Sequence, residues 1–500
     1  MLVFLDVSKA FDKVYHTGLL HKLESFGISG CLLAWFKSYL SKRFQRVVLN
    51  GKHSDWKETN AGVPQGSILG PLLFLIFIND IVDDLNSEPF LYADDTSLMK
   101  PLKSNTCIAD VVDINKDIQN ISDWADQWRV TFNAAKTEYM IISKKTIRPQ
   151  PLQIYFNDTQ INQVRNHCHL GIWFSDTMSW EKHISETIKK TTIPVNLLKR
   201  MSRQVDRQTK LCIYTSYIRP LLEYNASIFS GNLSNDQIHT LEQVQRQALL
   251  SAVAAYRHTP QEKLLHEVGI EPLFIRRKYF GLCHLYKILN GLTPTYLANL
   301  LPVTVGNSSR YPLRNSFDLA IPRTTKNYVQ RSFFWNTVNQ WNTLDINIRQ
   351  SPSLASFKRN VKANSPYKQN KLYDVFTPNA SVHHSRMRMG LSALNSHRKK
   401  FNFIEHNKCP LCACKPEDPT HFFLKCPYLA IHRTGLLGVV SALTHQKIPG
   451  LNVVPITKRD YKILNDIVLY GSLDLSYEEN VKLFKAVHEF ICDSKRFNKN

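Results

Sequence analysis

Tyr92-Ala93-Asp94-Asp95 stands between two short extended runs, Glu88-Pro89-Phe90-Leu91 and Thr96-Ser97-Leu98-Met99. The stretch reads as a hairpin whose turn aims two adjacent carboxylates at one point. Like charges resist such an approach unless a cation neutralises them. Magnesium suits the task, because it takes carboxylate oxygens together with substrate phosphate oxygens. A solvated Asp-Asp turn would need no cation, so two other stretches give this one its meaning. Leu2-Val3-Phe4-Leu5-Asp6-Val7 is an apolar run suited to a buried strand. An aspartate at its end is costly unless a metal or partner meets it. Gly62-Val63-Pro64-Gln65-Gly66-Ser67 is a loop whose glycines permit close backbone approach. It feeds a segment, 68–85, that is apolar nearly all round and is expected to form a buried helix. Carboxylates from two neighbouring strands can hold two ions about 3.5–4 Å apart, the arrangement that stabilises the attacking 3′ oxygen and leaving pyrophosphate in nucleotidyl transfer.

The totals agree with a polyanionic partner. A chain of 500 residues suffices for several cores, and its net charge of +22 points to nucleic acid or an anionic membrane surface. The longest apolar run, 71–78, falls well short of the roughly 20 residues of a spanning helix. Residues 1–5 are no secretory leader, since Asp6 interrupts them and no basic segment precedes them. Nucleic acid is therefore the expected partner and a membrane is not. Six of the ten cysteines (Cys31, Cys107, Cys168, Cys212, Cys283, Cys492) are scattered, as small apolar residues are in a reducing compartment, the nucleus or cytoplasm.

Periodicity predicts helix over 8–16 and 19–26, a helix with an aromatic face over 31–40, and a strand over 44–49 ending in the hairpin signal Asn50-Gly51. A helix over 108–128, a strand over 138–142, a hairpin around Asn157-Asp158 and a strand over 169–174 follow. From 179 onward the chain turns helical, and Lys189, Lys190, Lys199, Arg200, Arg203, Arg207 and Lys210 suggest a phosphate-facing surface. Residues 259–375 read as mostly helical, with a Pro- and Ser-containing connection over 301–312 and no assignable chemistry. Ser476 with Glu479 forms a capping box for a last helix, whose stripe Val481, Phe484, Val487 and Ile491 is core packing.

Phe4-Leu5-Asp6-Val7-Ser8-Lys9-Ala10-Phe11-Asp12, Gly62 to Ser67 and Tyr92 to Asp95 resemble motifs A, B and C of reverse transcriptases, in that order. The wording is similar to non-LTR (LINE-type) retrotransposons of the Jockey-like branch, as is FLIFINDI over 74–81. The resemblance implies an α+β fold: a right-hand polymerase palm of antiparallel sheet with packed helices, then a helical thumb, then a mostly α region with a small zinc-binding module. It implies a palm over 1–175, a thumb-like region over 176–258, a helical region over 259–375, a zinc module with a basic flank over 376–436 and a helical tail over 437–500. By the same resemblance Asp6 and Asp94 ligate two Mg2+ ions, with the Val7 carbonyl assisting and Asp95 supporting the site. Phe11 would be the steric gate against the ribose 2′-OH, and Gln65 and Gly66 would meet nucleotide and template. Lys136, in Asn133-Ala134-Ala135-Lys136-Thr137, resembles the motif D lysine that protonates pyrophosphate. His169-Leu170-Gly171-Ile172 resembles the primer-grip strand.

The remaining cysteines have the spacing C-x2-C-x8-H-x4-C through Cys409, Cys412, His421 and Cys426. Three thiolates and an imidazole suit tetrahedral zinc in a closed structural site. Cys414 could replace Cys412, and His432 is a weaker candidate. The cluster resembles the C-terminal CCHC motif of LINE-type proteins, beside Arg386, Arg388, His397, Arg398, Lys399 and Lys400. The family implies an enzyme, an RNA-directed DNA polymerase acting on RNA template, DNA primer, target DNA and deoxynucleotides. Relatives carry an endonuclease and a fingers region before motif A, and the resemblance here starts at motif A. A truncated remnant that binds nucleic acid without polymerising is the alternative, and a group II intron maturase-type polymerase a further one.

Overall fold

The computed structural model describes residues 1–500 apart from 103–107, 146–150, 202–204, 309–315, 322, 376, 378, 455 and 498–500. Cys107, Arg203 and the end of the 301–312 connection lie outside the described residues. The chain divides into two compact units, Met1–His183 and Ile184–Asn500.

The first unit runs β1 (Leu2–Leu5), α1 (His16–Ser25), α2 (Gly30–Leu40), β2 (Arg43–Gln45), β3 (Val48–Leu49), β4 (Lys52–His53), β5 (Lys57–Thr59), α3 (Leu69–Ile78), β6 (Glu88–Tyr92), β7 (Asp95–Met99), α4 (Ile108–Trp128) and β8 (Glu138–Met140). It continues with β9 (Tyr155–Phe156), β10 (Thr159–Gln160), β11 (Asn162–Gln163), β12 (Asn166–His169) and β13 (Ile172–Ser175). The main sheet has the order β11-β8-β1-β7-β6, with β1 central and antiparallel to both neighbours. Val3 and Leu5 turn to the core with Leu98 and Tyr139, against Leu19, Leu23, Phe74, Phe77, Ile114 and Ile118 of the helices. This mixed α+β architecture is of the reverse transcriptase palm type.

Four local expectations need correction. Residues 8–16 do not form a helix: Lys9 is left-handed (φ 53°), a single 3-10 turn covers Ala10–Asp12, and α1 starts at His16. Backbone bonds to other segments, such as Ser8 N to Thr131 O at 2.8 Å, compete with the helical pattern there. The 44–49 strand is broken, β2 pairing with β5 while β3 pairs with β4 around Asn50-Gly51. Single-strand 169–174 is instead a hairpin, β12 with β13, turning at Leu170-Gly171. The apolar α3 is buried on one side only: Leu72 is 52% exposed and Leu75 49%. The polar end of FLIFINDI is anchored from the neighbouring helix α1. The buried Lys22 amine donates to Phe77 O at 2.6 Å and Asp80 Oδ1 at 2.5 Å, under the Trp128 ring at 3.9 Å.

The second unit is helical among the described residues. One core joins the helix Leu273–Leu289 to Phe333–Asn342 and Leu354–Lys362. Another gathers Ala380–Arg388, Ala430–Thr444, Asp460–Tyr470 and Tyr477–Asp493 with Cys409, Phe422, Phe423 and Cys426, so the cysteine-rich segment and the tail share one interior. The Ser476/Glu479 capping box opens the last helix as expected. Several basic residues read as phosphate-facing are internal instead. Buried Glu267 accepts from Arg207 Nη1 and Arg388 Nη2, each at 2.7 Å, and Lys210 is also buried. Burial alone would raise the Glu267 carboxyl, but the two guanidinium groups hold it below its ordinary value. Arg386 caps the Ala254 carbonyl and stacks on Tyr256 at 4.1 Å.

His384 and His488 form a buried relay: His384 Nε2 to Val468 O at 2.9 Å, His384 Nδ1 to His488 Nε2 at 3.2 Å, and His488 Nδ1 to Thr377 Oγ1 at 3.1 Å. Burial, then the charge of Arg388, holds both imidazoles low, His488 at about 4. A histidine with a depressed folded value stabilises fully above its unfolded value of about 6.5 and loses that stabilisation as pH falls toward the folded value. Urea unfolding of the full chain should therefore weaken from pH 6.5 to 4, by up to about 1.4 kcal/mol per pH unit per histidine. The slope should flatten in His488→Gln.

Candidate active site and metal centre

The acidic turn is built by strain and register. Tyr92 pairs with Asp95 across β6 and β7, leaving a two-residue turn in which Ala93 is left-handed at φ 55°. An alanine there costs about 1–2 kcal/mol, and such strain gathers where a structure must aim particular groups. The β1/β7 register runs from Leu2↔Met99 to Leu5↔Thr96, so one step further sets Asp6 across from Asp95. The register thus sets Asp6 and the Asp94–Asp95 turn at the same end of β1 and β7, while among the described residues their carboxylate oxygens do not gather into a group within 4.8 Å of one another. Carboxylates are the donor set magnesium prefers.

Motif A and the glycine loop are laced together by backbone. Gly62 N donates to Val14 O and Val63 N to Phe11 O, both at 2.8 Å, and His16 Nε2 meets Gly62 O at 2.8 Å. A Cβ on Gly62, at φ +86°, would lie 2.7 Å from Asp12 O, so only glycine fits this approach. Gln65 Nε2 donates to Asp12 Oδ1 at 2.8 Å. Ser67 Oγ accepts from Tyr39 Oη at 3.0 Å and from Gly70 N at 2.9 Å, fixing the start of α3. Gly66 adopts φ +88° with open space where a Cβ would project. Phe11 stacks on Phe74 at 4.4 Å and is half-buried, leaving part of its ring accessible.

Val7 bridges to Phe132, and Asn133 N donates to Asp6 O at 2.8 Å. This docks the 133–137 turn against the end of β1 and places Lys136 Nζ 3.9 Å from Asp6 Oδ2. With both side chains exposed, that pair is a weak electrostatic contact. Asp12, His16 and Tyr39 escaped the sequence reading as site residues. Their partners lie 28 to 53 positions away, and no local pattern marks them.

The second candidate centre is tighter. Among the described residues, Cys409, Cys412, His421 and Cys426 form the one group of three or more such side chains with ligand atoms all within 4.8 Å of one another. The Cys409 and Cys426 sulfurs are 3.9 Å apart, and Cys412 Sγ is 3.4 Å from His421 Nε2. Tetrahedral zinc with ordinary bond lengths needs edges of about 3.8 and 3.6 Å, so the donor set fits. Cys414 is exposed and gives its thiol to Cys412 O, and His432 is exposed; neither belongs to the group. Burial pushes the Cys409 thiol up to about 12, so a metal would have to displace its proton. Around the ligands, Asp418 Oδ1 accepts from His421 N at 2.6 Å and Arg433 donates to Cys426 O at 2.6 Å. Buried Glu417 pairs with Arg496 and caps Asn395 N at 2.8 Å, tying this loop to the chain's last described residues.

A central strand followed by aspartate, flanked by a strained acidic hairpin and a glycine loop bonded to the segment after that strand, is consistent with a polymerase palm. Residues 1–174 match the family model described as reverse transcriptase (RNA-dependent DNA polymerase). The chain is similar to the RNA-directed DNA polymerase from mobile element jockey of Drosophila melanogaster, 29% identical over 237 residues, which are 45% of this chain and 25% of that protein. The Drosophila funebris jockey polymerase is 30% identical over 238 residues, again 45% and 25%. A Pol polyprotein from the type-1 retrotransposable element R1 of Bradysia coprophila is 23% identical over 302 residues, 58% of this chain and 29% of that one. Residues 1–174 are thus similar to the reverse transcriptases of Jockey-like non-LTR retrotransposons, and the chain spans about a quarter of the length of the jockey relatives it matches.

Proposed function

We propose that the protein is an RNA-directed DNA polymerase that extends a DNA primer on an RNA template. What supports the reading is the register that sets Asp6 and the Asp94-Asp95 turn at the same end of the sheet, beside a glycine loop bonded to the motif A backbone. Two magnesium ions, when bound, supply the charge that stabilises the attacking 3′ oxygen and the leaving pyrophosphate. Asp6 and Asp94 would hold them, with the Val7 carbonyl, and Asp95 would support the pair. Gln65, preset by Asp12, and Gly66 would seat nucleotide and template. Lys136, 3.9 Å from Asp6, would carry a proton toward pyrophosphate.

The reading extends beyond the palm. Residues 176–258 would serve as a thumb against the template–primer duplex, and 376–436 as a zinc module with Cys409, Cys412, His421 and Cys426 as ligands to a structural Zn2+. Target DNA as a partner would place the protein in the nucleus, after synthesis in the cytoplasm.

Phe11 offers a direct test of the nucleotide site. Its ring rests on Phe74, a backing that keeps it from yielding to a 2′-hydroxyl. Phe11→Ala should raise ribonucleotide use relative to deoxynucleotide by about a hundredfold in a primer-extension assay, a loss of roughly 2.7 kcal/mol of discrimination. Unchanged selectivity in an active variant would move the gate elsewhere.

A further inference from the structure

Cross-strand partners share a face of an antiparallel sheet. The pairs Phe4↔Glu138, Phe4↔Ser97 and Phe90↔Ser97 therefore form one row. Strand alternation turns Asp6 and Asp95, each two residues from a member of that row, to the same face. The β12–β13 hairpin lies over it. The His167 ring stacks on Phe4 with centroids 3.7 Å apart and planes within 10°, and His167 Nδ1 is 2.8 Å from Glu138 Oε2. His169, on the same side of β12, tilts over Phe4 at 5.5 Å. The hairpin tip at Leu170, with Phe4, Leu91, Tyr92 and Phe174, borders a cavity of about 310 Å³ beside the acidic turn. His167 and Glu138 are 17% and 33% exposed, so their pairing is partly shielded from water. Glu138 lies two residues after Lys136, in the segment docked on the Asp6 carbonyl.

We propose that Glu138 and His167 are positioning residues: their pair, seated on Phe4, fixes the β12–β13 hairpin over the catalytic face and so fixes where the 3′ end of the growing strand rests against Asp6 and the acidic turn. The proposal rests on the polymerase reading for its consequence, and on the described contacts for its geometry. Neither residue touches the reacting atoms. A row of aromatic stacking plus a charge-assisted bond defines the hairpin's height above the sheet and resists sliding, which stacking alone allows.

The test uses the full chain with a DNA primer annealed to an RNA template and carrying 4-thiothymidine at its 3′ end. Irradiation should crosslink the primer terminus to residues 166–175, and Glu138→Gln and His167→Gln should each lower the yield. Deuterium exchange of the 166–175 amides should speed up in both variants while α4 stays protected, which shows that the fold survives. In steady-state extension the variants should raise KM for primer–template about fivefold with kcat nearly unchanged. The exchanged pair Glu138→His with His167→Glu should restore crosslinking and KM together. Extension without a crosslink to the hairpin, or variants with wild-type crosslinking and KM, would overturn the positioning role and leave the polymerase reading standing. A crosslink lost in the variants from a wild-type protein that extends nothing would do the reverse.

Discussion

Cys426→Ser will empty the cysteine–histidine centre and unfold the core around it. Cys426 has no solvent exposure and shares its interior with Phe422, Phe423, Leu464, Phe484 and Phe490. Loss of a ligand therefore removes the staple of a core rather than of a surface loop. Structural zinc in small peptides carries about 10–16 kcal/mol of apparent binding free energy at neutral pH, which appears as folding free energy. Part of that would remain as packing in this larger unit, so the expected fall in the melting transition is about 10 °C or more. A chelator strong enough to strip zinc should reproduce it in the wild-type chain. Cys414→Ser makes the contrast. Its thiol is exposed and outside the ligand group, so metal content should stay at one zinc per chain and stability within about 0.5 kcal/mol. Metal analysis paired with calorimetry reads both outcomes; metal lost from Cys414→Ser but kept in Cys412→Ser would reassign the ligand.

Asp94→Asn should cut templated synthesis by roughly a thousandfold or more, about 4 kcal/mol of transition-state stabilisation. The substitution keeps shape and hydrogen bonding but removes the charge that would hold an ion between Asp6 and the incoming triphosphate. The strained turn at Ala93 should persist, since its geometry comes from the Tyr92↔Asp95 pair rather than from Asp94. Binding of a template–primer should change little, because phosphate contacts by basic residues dominate such affinity. Single-turnover extension beside a filter-binding measurement separates the two quantities. Equal losses of binding and rate would point to a collapsed hairpin instead of a missing metal ligand.

How much of this could be read from residues alone depends on the range of the interactions. The acidic hairpin, the β1 strand, α4 and the last capping box were legible because each is encoded within a few positions: alternation, a 3.6-residue stripe, or a Ser–Glu spacing of three. The break in helix over 8–16 was not, because long-range backbone bonds from Thr131, Gly62 and Val63 outcompete local propensity there. Charge misled for the same reason. Arg207 read as a phosphate contact and Arg388 as part of the basic flank of the cysteine cluster, whereas both pair with Glu267, 60 and 121 positions away. The apolar α3 read as buried throughout, yet a residue's hydropathy does not say which side of a helix has a neighbour. At the catalytic end, the acidic residues and the loop were visible from motif order, whereas Asp12, Glu138 and His167 became visible only through their cross-strand and cross-loop contacts.

The proposed activity is the copying of RNA into DNA at Asp6 and the Tyr92–Asp95 hairpin. The most direct measurement is extension of a DNA primer by the purified chain on two RNA templates of different sequence, with magnesium and all four deoxynucleotides, the products then sequenced. Products should be complementary to whichever template is supplied, with none formed without magnesium and none by Asp94→Asn. Tight binding of both template–primers with no added nucleotide, from a protein whose fold and zinc content are intact, would contradict the proposed activity.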